Sequence, residues 1–528
     1  MPALFTERLE LFSDPKHRQW LTELQRGVEK ESLRVSSEGR LSQTPHPQAL
    51  GAALTHPSIT TDFSEALMEL ITPVSNSIGQ TLNCLDDVHR FVYANLGDEQ
   101  LWTTSMPCVL AGEEQIPVAQ YGSSNVAQMK TVYRHGLGNR YGRAMQTIAG
   151  IHYNFSLPKP LWSLLQQADN DKQTQQDYIT NAYFGMIRNF RRTSWLLVYL
   201  FGASPAVCKS FLNNRDHQLQ EFDHGSVGLP NATSLRMGDL GYQSDAQGQL
   251  TICYNNINNY IDTLKEAITQ PHPAYQKIGI KGDEGYRQLS TALLQIENEF
   301  YSPIRPKRVT QSGETPIGAL RERGVEYIEV RCIDVNPYLP MGIDAEQMRF
   351  IDCFLLYCLF DESPLCDEQD RLEIADNLRK VVNQGREPAL QLNKHCDPTS
   401  LQQWGNSMLD NIEAIAKLLD QAHGGNDYQR ACENQRQKIA DPSLTPSAKI
   451  LADMTKNDQP FFHFAKNLAS QHNDYFRNRP LDKQRQQAFV NASQQSLASQ
   501  KEIEQNDTIS FEQYLHDYYQ QYQQLSSS

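Results

Sequence analysis

The amino-acid sequence predicts an α+β protein, and three observations carry that expectation. From about Arg26 to Asn336 the chain shows short β-compatible segments broken by Gly, Pro and Asn. Helix-like stretches lie between them, without regular βαβ alternation. After Pro337 the pattern is helical and offers no good strand candidate. Residues 1–340 are therefore expected to form a mixed region carrying the chemistry, with a mainly helical region, 341–528, packed against it.

Taken in order, Asp14-Pro15 signals an opening helix, with Asp14 at the N-cap and Pro15 at the first helical position. The clearest strand segments are RGVEKESLRV, GIHYNFSL, LLQIENEFY and VEYIEVRCIDV, and the clearest intervening helix is YITNAYFGMIRNFRRTSWLLVYLF. In the second region, AEQMRFIDCFLLYCLF, LQQWGNSMLDNIEAIAKLLDQA and PSAKILADMTKNDQPFFHFAKNLASQH carry helical spacing. From about Lys483 the chain becomes rich in Gln, Ser and Glu, and its end is expected to fray. There is no internal repeat.

Composition narrows the function classes. The 528 residues suffice for a large core. No apolar run reaches the roughly 18 residues of a membrane span. The start, MPALFTERLELFSDPKHRQWL, lacks the basic and apolar regions of a secretory signal, so a cytoplasmic address is expected. A net charge of −14 argues against a nucleic-acid partner, whose phosphates demand a basic face. Clustered carboxylates can instead hold hard cations, through which an acidic protein accepts an anionic nucleotide. The ten cysteines form no CxxC pair and read as reduced thiols, with Cys353 and Cys358 in an apolar run and buried.

Four short elements carry candidate chemistry. In QRGVEKESLRV, Glu29 and Glu31 share a strand face with Cα atoms about 6.5–7 Å apart, a spacing that serves neighbouring divalent ions but also an ordinary solvated face. In TTDFSEALMEL, Asp62 and Glu69 bracket an apolar segment. Glu65 and Glu69 equally fit an exposed acidic stripe on a helix, and local pattern does not decide between helix and strand. In IAGIHYNF, alternation sets Ile151, Tyr153 and Phe155 on one face and His152 and Asn154 on the other, where a lone histidine is commonly an interior hydrogen-bonded group. In VEYIEVR, Glu329 and Arg331 share a face with Tyr327, either as a structural ion pair or as a carboxylate and guanidinium holding metal and phosphoryl oxygens.

Together and in this order these elements gain meaning. QRGVEKESLRV, ITTDFSEALMELITP, AQYGSSN, GIHYNFSL, YLFGASPA, ATSLRMGDLGY, ENEFYSPIRPKR and GVEYIEVRCIDVNP closely resemble the successive blocks of the bacterial type 1 glutamate–cysteine ligase family, also called γ-glutamylcysteine synthetase. The resemblance runs from about Gln25 to Asn336 and more loosely to about residue 480; the Gln-rich tail carries no recognisable block.

The resemblance implies a fold related to glutamine synthetase, with a curved, mostly antiparallel sheet forming a funnel. It implies that Glu29, Glu31, Asp62, Glu69, His152 and Glu329 bind Mg²⁺ or Mn²⁺, for which five carboxylates and an imidazole are suited. Arg236 and Arg331 would stand near the transferring phosphoryl group and the glutamate. Tyr133, Leu137, Gln146, Ile148, Asn154, Tyr242 and Tyr301 would line the cysteine pocket, although tyrosines by themselves read as core. The implied reaction joins the γ-carboxyl of L-glutamate to the amine of L-cysteine through a γ-glutamyl phosphate, giving γ-glutamylcysteine, ADP and phosphate, the first step of glutathione synthesis. ATP is the co-substrate, glutathione a feedback inhibitor and the chain a monomer under the same resemblance.

No Walker A motif is present, so no P-loop cradles the nucleotide. Gly136, Gly138 and Gly142 do not fit GxGxxG and read as loop turns around the substrate; no residue can be assigned to adenine. Two other readings stay open. A ligase of the same fold would use another amine and be separated by assaying ADP formation with cysteine, 2-aminobutyrate and ammonia. A non-catalytic nucleotide- and metal-binding relative would not need the full acidic set and both arginines.

Overall fold

The computed structural model describes residues 3–212, 215, 217–241 and 250–525. Its centre is a seven-stranded sheet with only antiparallel pairings. The strands are β1 (Gln25–Val35), β2 (Ile59–Thr61), β3 (Leu67–Ile71), β4 (Gln100–Leu101), β5 (Ile151–Ser156), β6 (Ile304–Lys307) and β7 (Tyr327–Ile333). They stand in the order β6-β7-β5-β1-β3-β2, with β4 paired to the far end of β1.

Alternation along β1 sorts its charged residues. Lys30 and Arg26 point to the face covered by helices α1 (Ile78–Asn95) and, further along the chain, the one spanning Ala345–Phe360: Lys30 Nζ lies 2.9 Å from His89 Nε2, and Arg26 Nε 2.9 Å from Asp352. Glu29 and Glu31 point the other way. The remaining helices that position the site are α2 (Asn125–Tyr141), α3 (Gln175–Thr193), α4 (Ala345–Phe360), α5 (Leu401–His423), α6 (Lys483–Asn506) and α7 (Phe511–Gln524). Asp344 caps α4 by accepting from Gln347 N, and the apolar run that follows is buried nearly all round, packed against α1, α3 and α5.

Several local expectations are corrected. LLQIENEFY forms no strand but turns and one short 3₁₀ segment, Glu297–Glu299. The reason is in its alternate residues: Glu299 takes the amide of Gln295 at 2.7 Å, so a side chain satisfies a backbone group that a sheet ladder would otherwise use, while Glu297 is drawn to the helix start at Ile317, whose amide it accepts at 2.8 Å. The second region does contain strands, a hairpin of Gln391–Lys394 with Asp397–Ser400. His395 and Cys396 turn it with φ of 52° and 68°, a two-residue geometry that matches strand twist and leaves no apolar alternation to read. The opening helix begins as expected, with Asp14 accepting from Lys16 N, but Pro15–Arg18 is only four residues long and another helix, Ala3–Ser13, precedes it. The long helix predicted after Tyr178 is two, broken at Ser194.

The tail differs most from expectation. It forms α6 and α7, and both lie along the mixed region; the last three residues, on which the expected fraying falls, lie outside the described residues. Ala52 N donates to Ser496 Oγ at 2.9 Å, Thr55 Oγ1 to Ser496 O at 2.6 Å and Ser123 N to Glu504 at 2.9 Å. Among the described residues no helix is long and apolar enough to cross a membrane, and all ten cysteines are free, with Cys353 and Cys358 buried.

Candidate active site

The open face of the sheet gathers the acidic candidates through strand register. Glu29 of β1 stands opposite His152 of β5, Glu31 opposite Glu69 of β3, and Glu329 of β7 opposite Asn154. Glu69 is thus a strand residue, and neither it nor the buried Glu65 belongs to an exposed helical stripe. His152 Nδ1 lies 3.0 Å from Glu29 Oε2 and 3.7 Å from Glu329 Oε1, and its Nε2 lies 3.5 Å from Glu31 Oε1. One donor atom from each of Glu29, His152 and Glu329 fits within 4.8 Å of the others. Asp62 follows β2 directly, its carbonyl accepting from Tyr121 Oη at 2.9 Å and from Arg134 Nε.

Electrostatics divide this set. Burial, with the charges of Glu29, Asp62 and Glu31, pushes the Glu69 carboxyl well above its ordinary value. Burial also raises Glu31, against the pull of His152. For Glu329 burial is outweighed by Lys307, Arg331, His152 and Arg305, which hold it well below the usual carboxylate range. Arg331 Nη1 donates to Glu329 Oε1 at 3.0 Å and Lys307 Nζ stands 3.6 Å from Oε2.

Arg236 is held from both sides. Its Nη2 donates to the carbonyl of Arg331 at 2.8 Å, and Nη1 lies 3.7 Å from buried Asp334. Asp334 is itself fixed by Ala203 N, Ser204 Oγ and Ser234 Oγ at 2.8, 2.8 and 2.9 Å. The guanidinium lies flat on Gly150, where a Cβ would come within 2.0 Å of Nη2, which explains the glycine that opens GIHYNF.

Two adjoining spaces hold these groups. A cleft of about 480 Å³ is lined on the sheet side by Glu29, Asp62, Glu69, His152, Glu329 and Arg331, and across from it by Tyr133, Leu137, Gln146 and Tyr301. A smaller recess of about 60 Å³ lies between Glu31, Asp62, Gln146, Ile148, Arg236, Tyr301 and Arg331. Gln146 Nε2 donates to Tyr301 Oη at 2.8 Å, bridging the two. Asn154 lines neither space; its amide donates to Glu29 Oε1 at 2.8 Å. Tyr242 lies outside the described residues. Gly136 and Gly138 are inside α2 and so are not loop turns, whereas Gly142 closes the helix at φ 83° where the chain turns into the following loop.

Sequence reasoning missed Lys307, Arg305 and the tail residues Tyr514 and Tyr518, which also line the cleft, and Asp334, buried behind Arg236. Lys307 and Arg305 had a legible signal, alternation in IRPK with both side chains on one strand face. Asp334, three residues after Arg331, had none.

Fold and site define a class of protein: one with an antiparallel sheet whose open face sets carboxylates beside guanidiniums, the arrangement in which anions can be brought together. The comparisons make it particular. The family model described as glutamate-cysteine ligase matches residues 9–381. The glutamate–cysteine ligase of Pseudomonas entomophila is 52% identical over 492 residues, 93% of each chain, and that of Alcanivorax borkumensis 52% over 505 residues, 94% of this chain and 96% of its own. The crystal structure of the Francisella tularensis glutamate–cysteine ligase in complex with AMP superposes with a TM-score of 0.89 at 38% identity, over 94% of this chain and 97% of that one. The chain belongs to the glutamate–cysteine ligase family. A bifunctional glutathione synthetase from Pasteurella multocida, 24% identical with a TM-score of 0.69 over 88% of this chain and 54% of its own, shares the fold.

Proposed function

We propose that the cleft carries out the family's reaction, ATP-dependent formation of γ-glutamylcysteine, with the residues in the following roles. The carrying observation is the meeting of five carboxylates and one histidine with Arg236 and Arg331 at the junction of the two spaces. Glu31, Asp62 and Glu69 would hold a divalent ion near the amino acids, and Glu29, His152 and Glu329 one on the nucleotide side. The donor set fits Mg²⁺ or Mn²⁺: oxygen-rich, crowded enough to push Glu69 up, and with Glu329 Oε2 buried and lacking a hydrogen bond. When bound, such ions neutralise phosphoryl oxygens.

The chain's own residues do the rest. A carboxylate is a poor electrophile until the γ-carboxylate of glutamate takes the γ-phosphoryl group of ATP and releases ADP. Arg331 and Arg236 offset the charge that gathers as these two anions meet. The cysteine amine then attacks the acyl phosphate, and phosphate leaves. Tyr133, Leu137, Gln146, Ile148 and Tyr301 would enclose the small, weakly polar cysteine side chain, joined by Tyr242; Asn154, bonded to Glu29, would instead steady that carboxylate on the sheet side. The sheet would be one wall of a glutamine-synthetase-like funnel, in a region spanning residues 1–340 with the helical region 341–528 packed on it. A monomeric, cytoplasmic chain inhibited by glutathione completes the reading, supported by the family.

The test is isotopic. Glutamate labelled with ¹⁸O in its γ-carboxylate delivers one labelled oxygen to each phosphate released when cysteine is present. Arg331→Lys loses most of this turnover, because an ammonium lacks the two-pronged contact of a guanidinium. Unlabelled phosphate, or phosphate release indifferent to glutamate and cysteine, would sink the assignment.

A further inference from the structure

The tail that carries no recognisable sequence block, and that lies beyond the residues matched by the family model, reaches the cleft. Tyr514 and Tyr518 of α7 line it directly. Two other tyrosines of the same helix bond to the segment that forms the wall opposite the sheet. Tyr519 Oη donates to the carbonyl of Gln295 at 2.7 Å, and Tyr522 Oη to Glu297 Oε2 at 2.5 Å.

These partners lead to the two tyrosines of the wall. The Gln295 side chain donates to the carbonyl of Tyr133 at 3.2 Å and accepts from Leu289 N at 2.9 Å. It presses so closely on α2 that a Cβ at Gly136 would lie 2.0 Å from its Oε1, which gives that mid-helix glycine its reason. Glu297 is buried, and its second oxygen takes the amide of Ile317 at 2.8 Å. Four residues on, Tyr301 pairs with Gln146. Gln521 adds a clasp on the cleft rim, donating to Gly313 O at 2.8 Å and accepting from Thr315 N at 3.1 Å. Asn125, the first residue of α2, donates its side-chain amide to Ile509 O at 3.1 Å and its backbone N–H to Asp507.

We propose that α7 is a working wall of the active site, in which Tyr519 and Tyr522 are positioning residues that set Tyr133 and Tyr301 for the amine substrate. The proposal rests on the reading of Tyr133 and Tyr301 as the cysteine wall. Packing alone would not require it: a helix recruited only to cover apolar surface has no need of hydroxyls aimed at one carbonyl and one buried carboxylate. Deleting the Tyr522 hydroxyl leaves a Glu297 oxygen buried without its donor, and the segment must shift to rehydrate it.

The experiment compares Tyr522→Phe, Tyr519→Phe and Tyr301→Phe in the full-length enzyme. The KM values for cysteine, glutamate and ATP are measured separately, alongside kcat and thermal melting. The expected result is a rise in the cysteine KM of about five- to tenfold for each variant, the worth of one hydrogen bond. The glutamate and ATP values should stay within about twofold and kcat within about threefold. A cysteine KM that moves in Tyr301→Phe but in neither tail variant overturns the positioning role while leaving the wall assignment standing. A cysteine KM unmoved in Tyr301→Phe removes the wall assignment itself and the proposal with it. If Tyr522→Phe melts too low to assay, Tyr519→Phe, which leaves no buried carboxylate exposed to change, decides between these outcomes. Equal rises in all three KM values in that variant also overturn the proposal.

Discussion

The two faces of β1 handle buried charge in opposite ways. On the helix-covered face, charge is either paired within the fold or suppressed by burial, which lowers Lys30 to about 7. Arg26 Nη2 lies 2.7 Å from Asp352, which also accepts from Tyr153 Oη at 2.7 Å, and Lys30 rests on His89. On the open face, where Glu29 and Glu31 flank Lys30 along the same strand and Glu69 joins them from β3, like charges crowd one another: Glu69 is pushed well up by burial and three neighbouring carboxylates. A charge cluster that the chain does not neutralise by itself costs stability, and such a cost persists where something outside the chain completes it. The covered face therefore reads as architecture and the open face as function.

That contrast can be broken most sharply at Glu329. Glu329→Gln keeps the shape and removes one charge, so kcat should fall roughly a thousandfold while the chain still folds, its melting lowered by the lost contacts with Arg331 and Lys307. Turnover within a few-fold of wild type would make Glu329 a structural partner of Arg331 and erase the distinction. The converse variant, Asp352→Asn, strips Arg26 of its acidic partner on the covered face. It should cost about 3 kcal/mol of stability, read by denaturant titration, with the KM values of the surviving folded enzyme unchanged. A selective loss of turnover there would show that the covered face also serves the reaction.

The smallest effect is in the pH dependence, where the two faces should have opposite slopes. Glu69 has a raised value in the folded chain, so the stability it contributes is present at low pH and lost as pH rises through that value. Glu69→Gln should therefore melt about 1–2 °C above wild type at pH 8 in a chelator, with a smaller gain at pH 6. Lys30 is lowered by burial from 10.5 to about 7, so between these values the unfolded chain binds more protons and stability rises with pH. Lys30→Met should flatten that rise. Parallel slopes in the two variants would refute the division.

How much of this was legible follows from where each signal resides. The α+β class and the strands β1, β5 and β7 are written in local alternation, and the structure has them. Glu69 was ambiguous because LMELI fits a helix or a strand, and only its pairing with Glu31 decides. LLQIENEFY has a strand's alternation, yet Glu299 turns back on the backbone at Gln295 and Glu297 reaches away to Ile317. The tail's helices had a readable stripe, with Phe511, Leu515, Tyr518 and Tyr522 at helical spacing and buried; what no local pattern contains is the surface they face.

The sequence by itself determined which groups are available and which face of its own strand each one takes, because side-chain alternation is a property of the extended backbone. It also determined the family, through motifs in a definite order. Only the tertiary structure decided which groups meet. Glu29 and Glu329 stand 3.0 and 3.7 Å from the same ring nitrogen of His152, although 300 positions separate them in the chain. Such proximity is set by strand register, and register is a non-local choice: a slip of one residue would turn every carboxylate of a strand to the opposite face. The same reason places the tail's tyrosines against a wall some 220 residues earlier.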